Sequence, residues 1–273
     1  MTATHDDPES SKMPLLEHLV ELRRRLLYSV VAFLIAFFIC YGFSQDIYGF
    51  LLRPLAQAME AAGGSQRMIY TELTEVFFTY LKVSAFGALV VTFPVFASQF
   101  WLFLAPGLYR HEKKALLPFL VATPLLFALG AAMVYYVVMP MAWTYLLGFQ
   151  TGAADTVLPI QLEAKVGEYL GLVMTLIFAF GISFEMPVLL TLLARVGLVT
   201  ATGLADKRRF AIVGVFVFAA ILTPPDVISQ IALAIPMLGL YEISILTCRM
   251  MEKKRRESEE NDPDFDETDF NEG

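Results

Sequence analysis

The sequence has few of the residues and motifs that catalyse the making or breaking of covalent bonds. There are two cysteines, Cys40 and Cys248. They are predicted to lie near opposite ends of membrane-length apolar segments, a membrane thickness apart, which is too far for a disulfide. The three histidines, His5, His18 and His111, lie outside the long apolar segments, so neither a histidine metal cluster nor a Ser–His pair is expected there. The motifs G-x-x-x-x-G-K-[ST] and G-x-S-x-G are both absent. We therefore predict a protein that is not an enzyme and that needs no metal or cofactor.

Charge is also scarce over long stretches of the chain. Hydrophobic residues make up 57% of the 273 positions, and the mean hydropathy is +0.60. An ordinary soluble domain of this length is less apolar. No cleavable signal peptide is predicted, because the first apolar run begins near residue 26 and has the length of a membrane span. These features predict an all-α, polytopic membrane protein.

We predict six transmembrane helices, at about 26–43, 83–109, 115–148, 169–194, 210–225 and 227–248. The third segment is too long for one perpendicular helix, and its Pro118, Pro124 and Pro140 predict kinks. The apolar parts of the last two segments are short and meet at the sequence TPPD. A single re-entrant hairpin is the alternative for that pair.

The basic residues predict the orientation of these spans. With six spans both termini share one side of the membrane, and sixteen of the twenty Lys and Arg residues fall on that side. They are Lys12, Arg23–Arg25, Arg110, Lys113, Lys114, Arg195, Lys207–Arg209, Arg249 and Lys253–Arg256. Lys and Arg collect on the cytoplasmic side of membrane proteins, so both termini are predicted to be cytoplasmic. An odd number of spans would remove the asymmetry.

Both ends of the chain are polar. Nine of the 27 acidic residues lie in residues 257–273, which explains the formal net charge of −7. Residues 1–12 and 251–273 are predicted to be disordered, because they have too little apolar surface to offset the entropy of ordering. The membrane domain is therefore expected to cover residues 13–250.

One glutamate lies deep inside the fourth predicted span. Between Tyr169 and Ala194, Glu185 is the only residue with a formal charge. An unpaired carboxylate is costly in hydrocarbon, so we expect it to face a cavity, a polar partner or a protein interface. Pro187 lacks the N–H that would bond to the Ser183 carbonyl, so a kink is expected at the same place. The alternative is a neutral, hydrogen-bonded acid packed between helices.

A second group of charges precedes the first span. Residues 13–30, MPLLEHLVELRRRLLYSV, place leucines along one face of a helix and charges on the others. Such a helix would lie at the cytoplasmic interface and continue into the span. Glu21 has Arg24 and Arg25 within one turn, so an internal ion pair is one interpretation. Arginine runs at a membrane boundary are also typical determinants of topology.

Four segments carry a resemblance to a known family. LEHLVELRRRLL, FLAPGLYRHEKK, FGISFEMPVLL and LTPPDVISQIALAIPM resemble, in this order, segments of the TatC subunit of the twin-arginine protein translocase. The resemblance covers roughly residues 13–250. It implies a bacterial inner-membrane receptor that binds twin-arginine signal peptides and helps to export folded proteins, driven by the proton-motive force. It also implies a concave, glove-like bundle that assembles with itself and with single-span TatA-type and TatB-type partners, not with nucleic acid.

The resemblance places the signal-peptide site at Glu21 and Glu112, with Arg23 supporting these acids. Paired guanidinium groups fit fixed carboxylates, because arginine–carboxylate contacts can be bidentate and charge-assisted. Without the resemblance, Glu112 would be interpreted as a solvated loop acid among basic neighbours.

Other positions are matched inside and outside the membrane. Glu185 is expected to lie in the cavity of the bundle, where it and Gln230 could meet polar groups of a partner helix. Pro225 and Asp226 suit the start of the last helix. Pro54, in the first outer loop, matches another family position, for which a simple turn proline is the alternative.

Val76 departs from the family pattern, because many relatives carry proline there, and this leaves the shape of the outer loop open. Two other classes of protein remain as alternatives. A small-solute secondary transporter would also place a carboxylate beside a broken helix, but no convincing internal repeat is found. A scaffold that organises partners without binding cargo would lack a signal-peptide site around Glu21 and Glu112.

Overall fold

A computed structural model of the protein describes residues 12–63, 67–108, 117–151, 158, 160–195, 197–222 and 227–260. Nearly all of these residues are helical. The helices are α1 (Lys12–Gly42), α2 (Ser44–Ala61), α3 (Glu75–Leu108), α4 (Leu117–Met133), α5 (Met139–Leu147), α6 (Val166–Ser183), α7 (Met186–Arg195), α8 (Ala201–Asp206), α9 (Arg208–Leu222) and α10 (Val227–Glu260). Two short strands, β1 (Met68–Ile69) and β2 (Ala164–Lys165), pair in parallel.

Five helical stretches in the described chain are long and apolar enough to cross a membrane. They are His18–Gly42, Glu75–Phe103, Pro118–Leu147, Val166–Arg195 and Gln230–Lys253. These confirm a polytopic helical fold. α9, at the fifth of the six predicted spans, has 15 residues. This is fewer than the roughly 20 residues that a full crossing needs, so the count of six stays a prediction.

The third span is interrupted near one of its prolines. α4 continues through Pro124, but residues Val134–Val138 form a π-helical turn between α4 and α5. In this turn the Met139 N–H donates to the Val134 carbonyl, five residues back. Pro140 follows and has no N–H with which to continue regular α-helical bonding, which accounts for the wider turn at this point.

The chain divides into two compact units. The first comprises the described residues up to Leu125 together with Trp143–Thr175. Its core lies where α1 packs on α3, around the buried residues Ala36, Cys40 and Ala88. The Trp101 indole N–H donates to the Thr123 hydroxyl at 3.0 Å and so links α3 to α4.

The second unit comprises Leu126–Ala142 and the described residues from Leu176 onward. Here α7, α8 and α9 pack against α10. The core of this packing contains Ala201, Leu204, Tyr241, Ile245 and Cys248. The Tyr241 hydroxyl donates to the Leu204 carbonyl at 2.8 Å, so this buried polar group has a partner.

Two predictions, one about the first outer loop and one about the end of the last helix, need correction. Pro54 does not form a turn, because it is buried inside α2. The apolar residues Leu51, Leu55 and Met59 recur at helical spacing and are buried with it, and their burial offsets the cost of about 3 kcal/mol for proline in a helix. In addition, α10 does not end with the predicted span at residue 248 but continues to Glu260, into the segment predicted to be disordered. Residues 251–260, MEKKRRESEE, are mostly good helix formers.

Candidate functional site

The helix of the fourth span is interrupted at Glu185, where a kink is predicted. α6 ends at Ser183, and α7 begins after a two-residue turn that contains Glu185. The Glu185 N–H donates to the Ile182 carbonyl at 3.0 Å, three residues back instead of four. Pro187 offers no N–H to the Ser183 carbonyl, which explains why regular helix cannot continue here. The prediction that the charge and the kink coincide is confirmed.

Glu185 is buried, with 8% of the residue exposed. The hydroxyls nearest in sequence are used within their own helices, since Ser183 donates to the Ala179 carbonyl at 2.6 Å and Thr191 donates to the Pro187 carbonyl at 2.5 Å. The role of Glu185 in a cavity or toward a partner helix stays a prediction.

Two helices, α4 and α6, pack closely beside this break. Gly130 of α4 sits against α6 so tightly that a Cβ atom there would lie 2.8 Å from the Phe180 carbonyl oxygen. Phe180 is fully buried, and Phe184, next to the glutamate, is 4% exposed. The backbone around the carboxylate is therefore held by a close crossing of two helices, which a larger residue at position 130 would push apart.

A pair of charges lies on α1, ahead of the first apolar stretch. The Arg25 Nε and Nη2 atoms donate to the same Glu21 oxygen, at 3.0 and 2.5 Å. The side chains are 17% exposed for Arg25 and 25% exposed for Glu21. Arg23 and Arg24 are exposed. The internal ion pair considered for Glu21 is thus present and occupies one oxygen of the carboxylate.

The charged end of α1 lies against the end of α3. His18 and Phe103 stack with their ring centroids 4.2 Å apart. α3 ends at Leu108, four residues before Glu112. Glu112 itself lies outside the described residues, so its geometry relative to Glu21 stays a prediction.

Gln230 has a partner within the chain. Its amide nitrogen donates to the Phe216 carbonyl at 3.1 Å and thereby links α10 to α9. A contact between Gln230 and a partner helix stays a prediction, and the internal bond was not predicted from the sequence. α10 begins at Val227, directly after Asp226, but Pro225 and Asp226 lie outside the described residues.

A glutamate that was not predicted as a site residue, Glu75, links the start of α3 to the start of α6 in the first unit. One oxygen of Glu75 accepts from the Gly167 N–H at 2.9 Å. The other accepts from the N–H groups of Thr71 at 2.9 Å and Glu72 at 3.4 Å. An acid in the first turn of a helix is a recognisable signal in the sequence. Its partner Gly167, 92 residues further on, is not, because only the fold brings the two together.

Fold and site together define a class of protein. It is a multi-pass helical membrane protein whose distinctive charges lie at a helix break and near the start of α1. Such positions are typical of transport and recognition. Among the described residues, no cluster of three or more His, Cys, Asp or Glu side chains could hold a metal ion.

Comparison with known proteins identifies the family. The model of the family "Sec-independent protein translocase protein (TatC)" matches residues 17–236. The TatC protein of Magnetococcus marinus is 50% identical over 248 residues, covering 91% of this chain and 88% of the relative. That of Escherichia coli strain K12 is 40% identical over 247 residues, covering 90% and 92%. The chain belongs to the TatC family.

A solved structure supports the same assignment. The crystal structure of the twin-arginine translocase receptor TatC matches with a TM-score of 0.71 and 39% sequence identity. The match covers 85% of this chain and 98% of that chain. The comparisons support the protein-translocase interpretation and not the small-solute transporter.

Proposed function

We propose that this chain is the receptor subunit of a twin-arginine translocase in the bacterial inner membrane, with both termini in the cytoplasm. Its family and its five membrane-length helices support a role in protein transport at a membrane. The concentration of Lys and Arg in alternate loops supports the orientation. The receptor binds signal peptides that carry two adjacent arginines, before the folded cargo crosses.

The observation that carries this proposal is the position of Glu21. It is a partly buried acid on α1, one turn after His18, which stacks on the end of α3. α3 ends at Leu108, four residues before Glu112 in the sequence, which supports the proposal that Glu112 acts together with Glu21. A pair of fixed carboxylates suits two guanidinium groups, each of which can form charge-assisted, bidentate hydrogen bonds. Arg23, which is exposed, belongs to the same signal-peptide site, where it supports these acids.

Partner subunits are assigned to the second unit. Glu185 lies at the break between α6 and α7 in the fourth span. Gln230 already makes one interhelical bond, to α9. Polar groups at such positions can bond to a polar residue on a single-span TatA-type or TatB-type helix, where water does not compete. In this proposal the assembled translocase, which contains several copies of the subunits, uses the proton-motive force to move the cargo.

The test is binding of a purified twin-arginine signal peptide, compared with the same peptide carrying Lys-Lys. Glu21→Ala and Glu112→Ala are each expected to weaken binding of the arginine peptide. Losing one partner of a charge-assisted hydrogen bond costs about 1.5–3 kcal/mol, which corresponds to roughly ten- to a hundredfold in affinity.

Glu60→Ala is the matched control, because it removes one exposed acid from α2, on the side predicted to be periplasmic. It should leave the affinity unchanged. Full affinity in both single variants and in the double variant would exclude this site, whereas equal affinity for the arginine and lysine peptides would exclude the receptor function.

A further inference from the structure

The first unit contains a groove that no step of the proposed function uses. It lies between α2, β1 and the first turns of α3 and α6, and its volume is about 440 Å³. Its lining is mostly apolar and includes Leu52, Ala56, Met59, Met68, Val76 and Val166. Grooves of this size that combine an apolar lining with a few polar groups are typical small-ligand sites.

The polar groups of the groove lie mainly at one position. Arg67 lines the groove and donates to Glu163, and the side chains are 67% and 48% exposed. One guanidinium nitrogen is used in this bond, which leaves the other donors of the five N–H groups for a ligand. Arg67 is the charged residue of the lining, and its ion-pair partner Glu163 adds a carboxylate beside it. This edge of the groove therefore offers both signs of charge, and it favours a ligand that carries both a positive and a negative charge.

The groove lies at the start of two membrane-length helical stretches. Its lining residues Val76 and Val166 are in the first turns of α3 and α6, where the stretches Glu75–Phe103 and Val166–Arg195 begin. Tyr70, which also lines the groove, is 58% exposed, and exposed aromatic residues next to spans are typical anchors at the membrane–water interface. A groove at this position is accessible to a molecule that already resides in the bilayer.

We propose that this groove binds one zwitterionic phospholipid of the surrounding membrane. An acyl chain lies against Leu52, Ala56 and Met59 of α2. The phosphate accepts hydrogen bonds from Arg67, and the ammonium group of the headgroup donates to Glu163. An anionic lipid would satisfy Arg67 but would bring its own negative charge next to Glu163, so it is the poorer fit. The proposal does not depend on the identity of the signal-peptide site.

The test uses the intact protein in detergent, with bound lipid counted by native mass spectrometry. The probes are phosphatidylethanolamine and phosphatidylglycerol with identical acyl chains. The wild-type chain is expected to retain one phosphatidylethanolamine, with about tenfold preference over phosphatidylglycerol, the size expected for one charge-assisted contact. Ala56→Trp places an indole in the groove from an exposed helix position and should abolish retention.

Gln57→Trp is the matched control, because Gln57 is the next exposed residue of α2 and does not line the groove. It should retain the lipid as the wild type does. Glu163→Gln changes only an exposed side chain, so it should fold normally while its preference falls toward equal binding of the two lipids. No retained lipid, equal loss in both tryptophan variants, an unchanged preference in Glu163→Gln, or displacement of the lipid by a signal peptide would each overturn the proposal.

Discussion

The ion pair on α1 makes a prediction that distinguishes a binding acid from a structural one. Arg25 occupies one oxygen of Glu21 through two nitrogen atoms, at 3.0 and 2.5 Å. If Glu21 binds an arginine of the signal peptide, the peptide has to compete with Arg25. Arg25→Gln removes this competitor while keeping a side chain of similar reach. We therefore expect the variant to bind the twin-arginine peptide more tightly than the wild type does.

The expected size follows from the geometry of the pair. Exposed ion pairs at i and i+4 of a helix stabilise by about 0.3–0.5 kcal/mol, and favourable exposed pairs reach about 1 kcal/mol. Two donors on one oxygen and side-chain exposures of 17% and 25% place this pair in the upper part of that range. With RT of about 0.59 kcal/mol, releasing 0.5–1 kcal/mol gives roughly two- to fivefold tighter binding.

The assay is peptide affinity measured by fluorescence anisotropy on purified protein, and the matched control is Arg24→Gln. Arg24 is exposed and adjacent, and its replacement changes the net charge and the count of arginines at the membrane boundary by the same amounts. It is expected to shift the affinity less than Arg25→Gln does. Equal shifts would mean that the general field of positive charge is measured, not the pair. Weaker binding in Arg25→Gln alone would show that Arg25 holds Glu21 in its binding position, and would refute competition.

Three further perturbations test the described structure. Glu185→Gln should retain much of the export of a folded reporter while Glu185→Ala loses more, because the amide can still hydrogen-bond to a partner in the bilayer; equal failure of both would instead indicate proton relay. Gly130→Ala should lower the free energy of unfolding by about 1–3 kcal/mol in thermal unfolding. The control Gly171→Ala should not, because a Cβ there meets nothing within 4 Å. Equal stability of the two variants would contradict the close crossing of α4 and α6. Glu75→Ala should increase amide hydrogen exchange at Gly167, and unchanged protection would contradict the link between the two segments.

The long helices could be predicted because each has a strong local signal. Apolar runs of membrane length gave five helical stretches that match the structure, and Pro187 beside a buried charge gave the break in the fourth. The boundaries were less predictable, since α1, α3 and α10 all extend well beyond their apolar parts. In α10 the extension consists of charged helix formers, and Lys253 and Glu257 form an i, i+4 ion pair at 3.6 Å. A hydropathy pattern does not report such stabilisation.

The connecting segments could not be predicted, because their structure depends on partners that are distant in sequence. Pro54 is expected in an outer loop, but it lies inside α2, where Leu51, Leu55 and Met59 repeat at helical spacing on both sides of it. The pairing of β1 with β2 and the bond from Gly167 to Glu75 join residues more than 90 positions apart. Sequence periodicity describes what one segment buries, whereas these contacts require the positions of two segments.

The Glu21–Arg25 pair also bears on how a receptor could select two arginines over one. A peptide with a single arginine bound at Glu21 would keep only part of the free energy of that contact, because it first has to displace the bonds of the same kind that Arg25 makes. A second arginine bound at Glu112 adds a contact that no exchange cancels, if no internal cation occupies that acid. Lysine pairs would carry the same charge but lack the planar fork needed to replace two donors on one oxygen. In this view the Glu21–Arg25 pair sets the binding free energy that a peptide must exceed. Selectivity then arises from geometry and from the number of arginines more than from net charge.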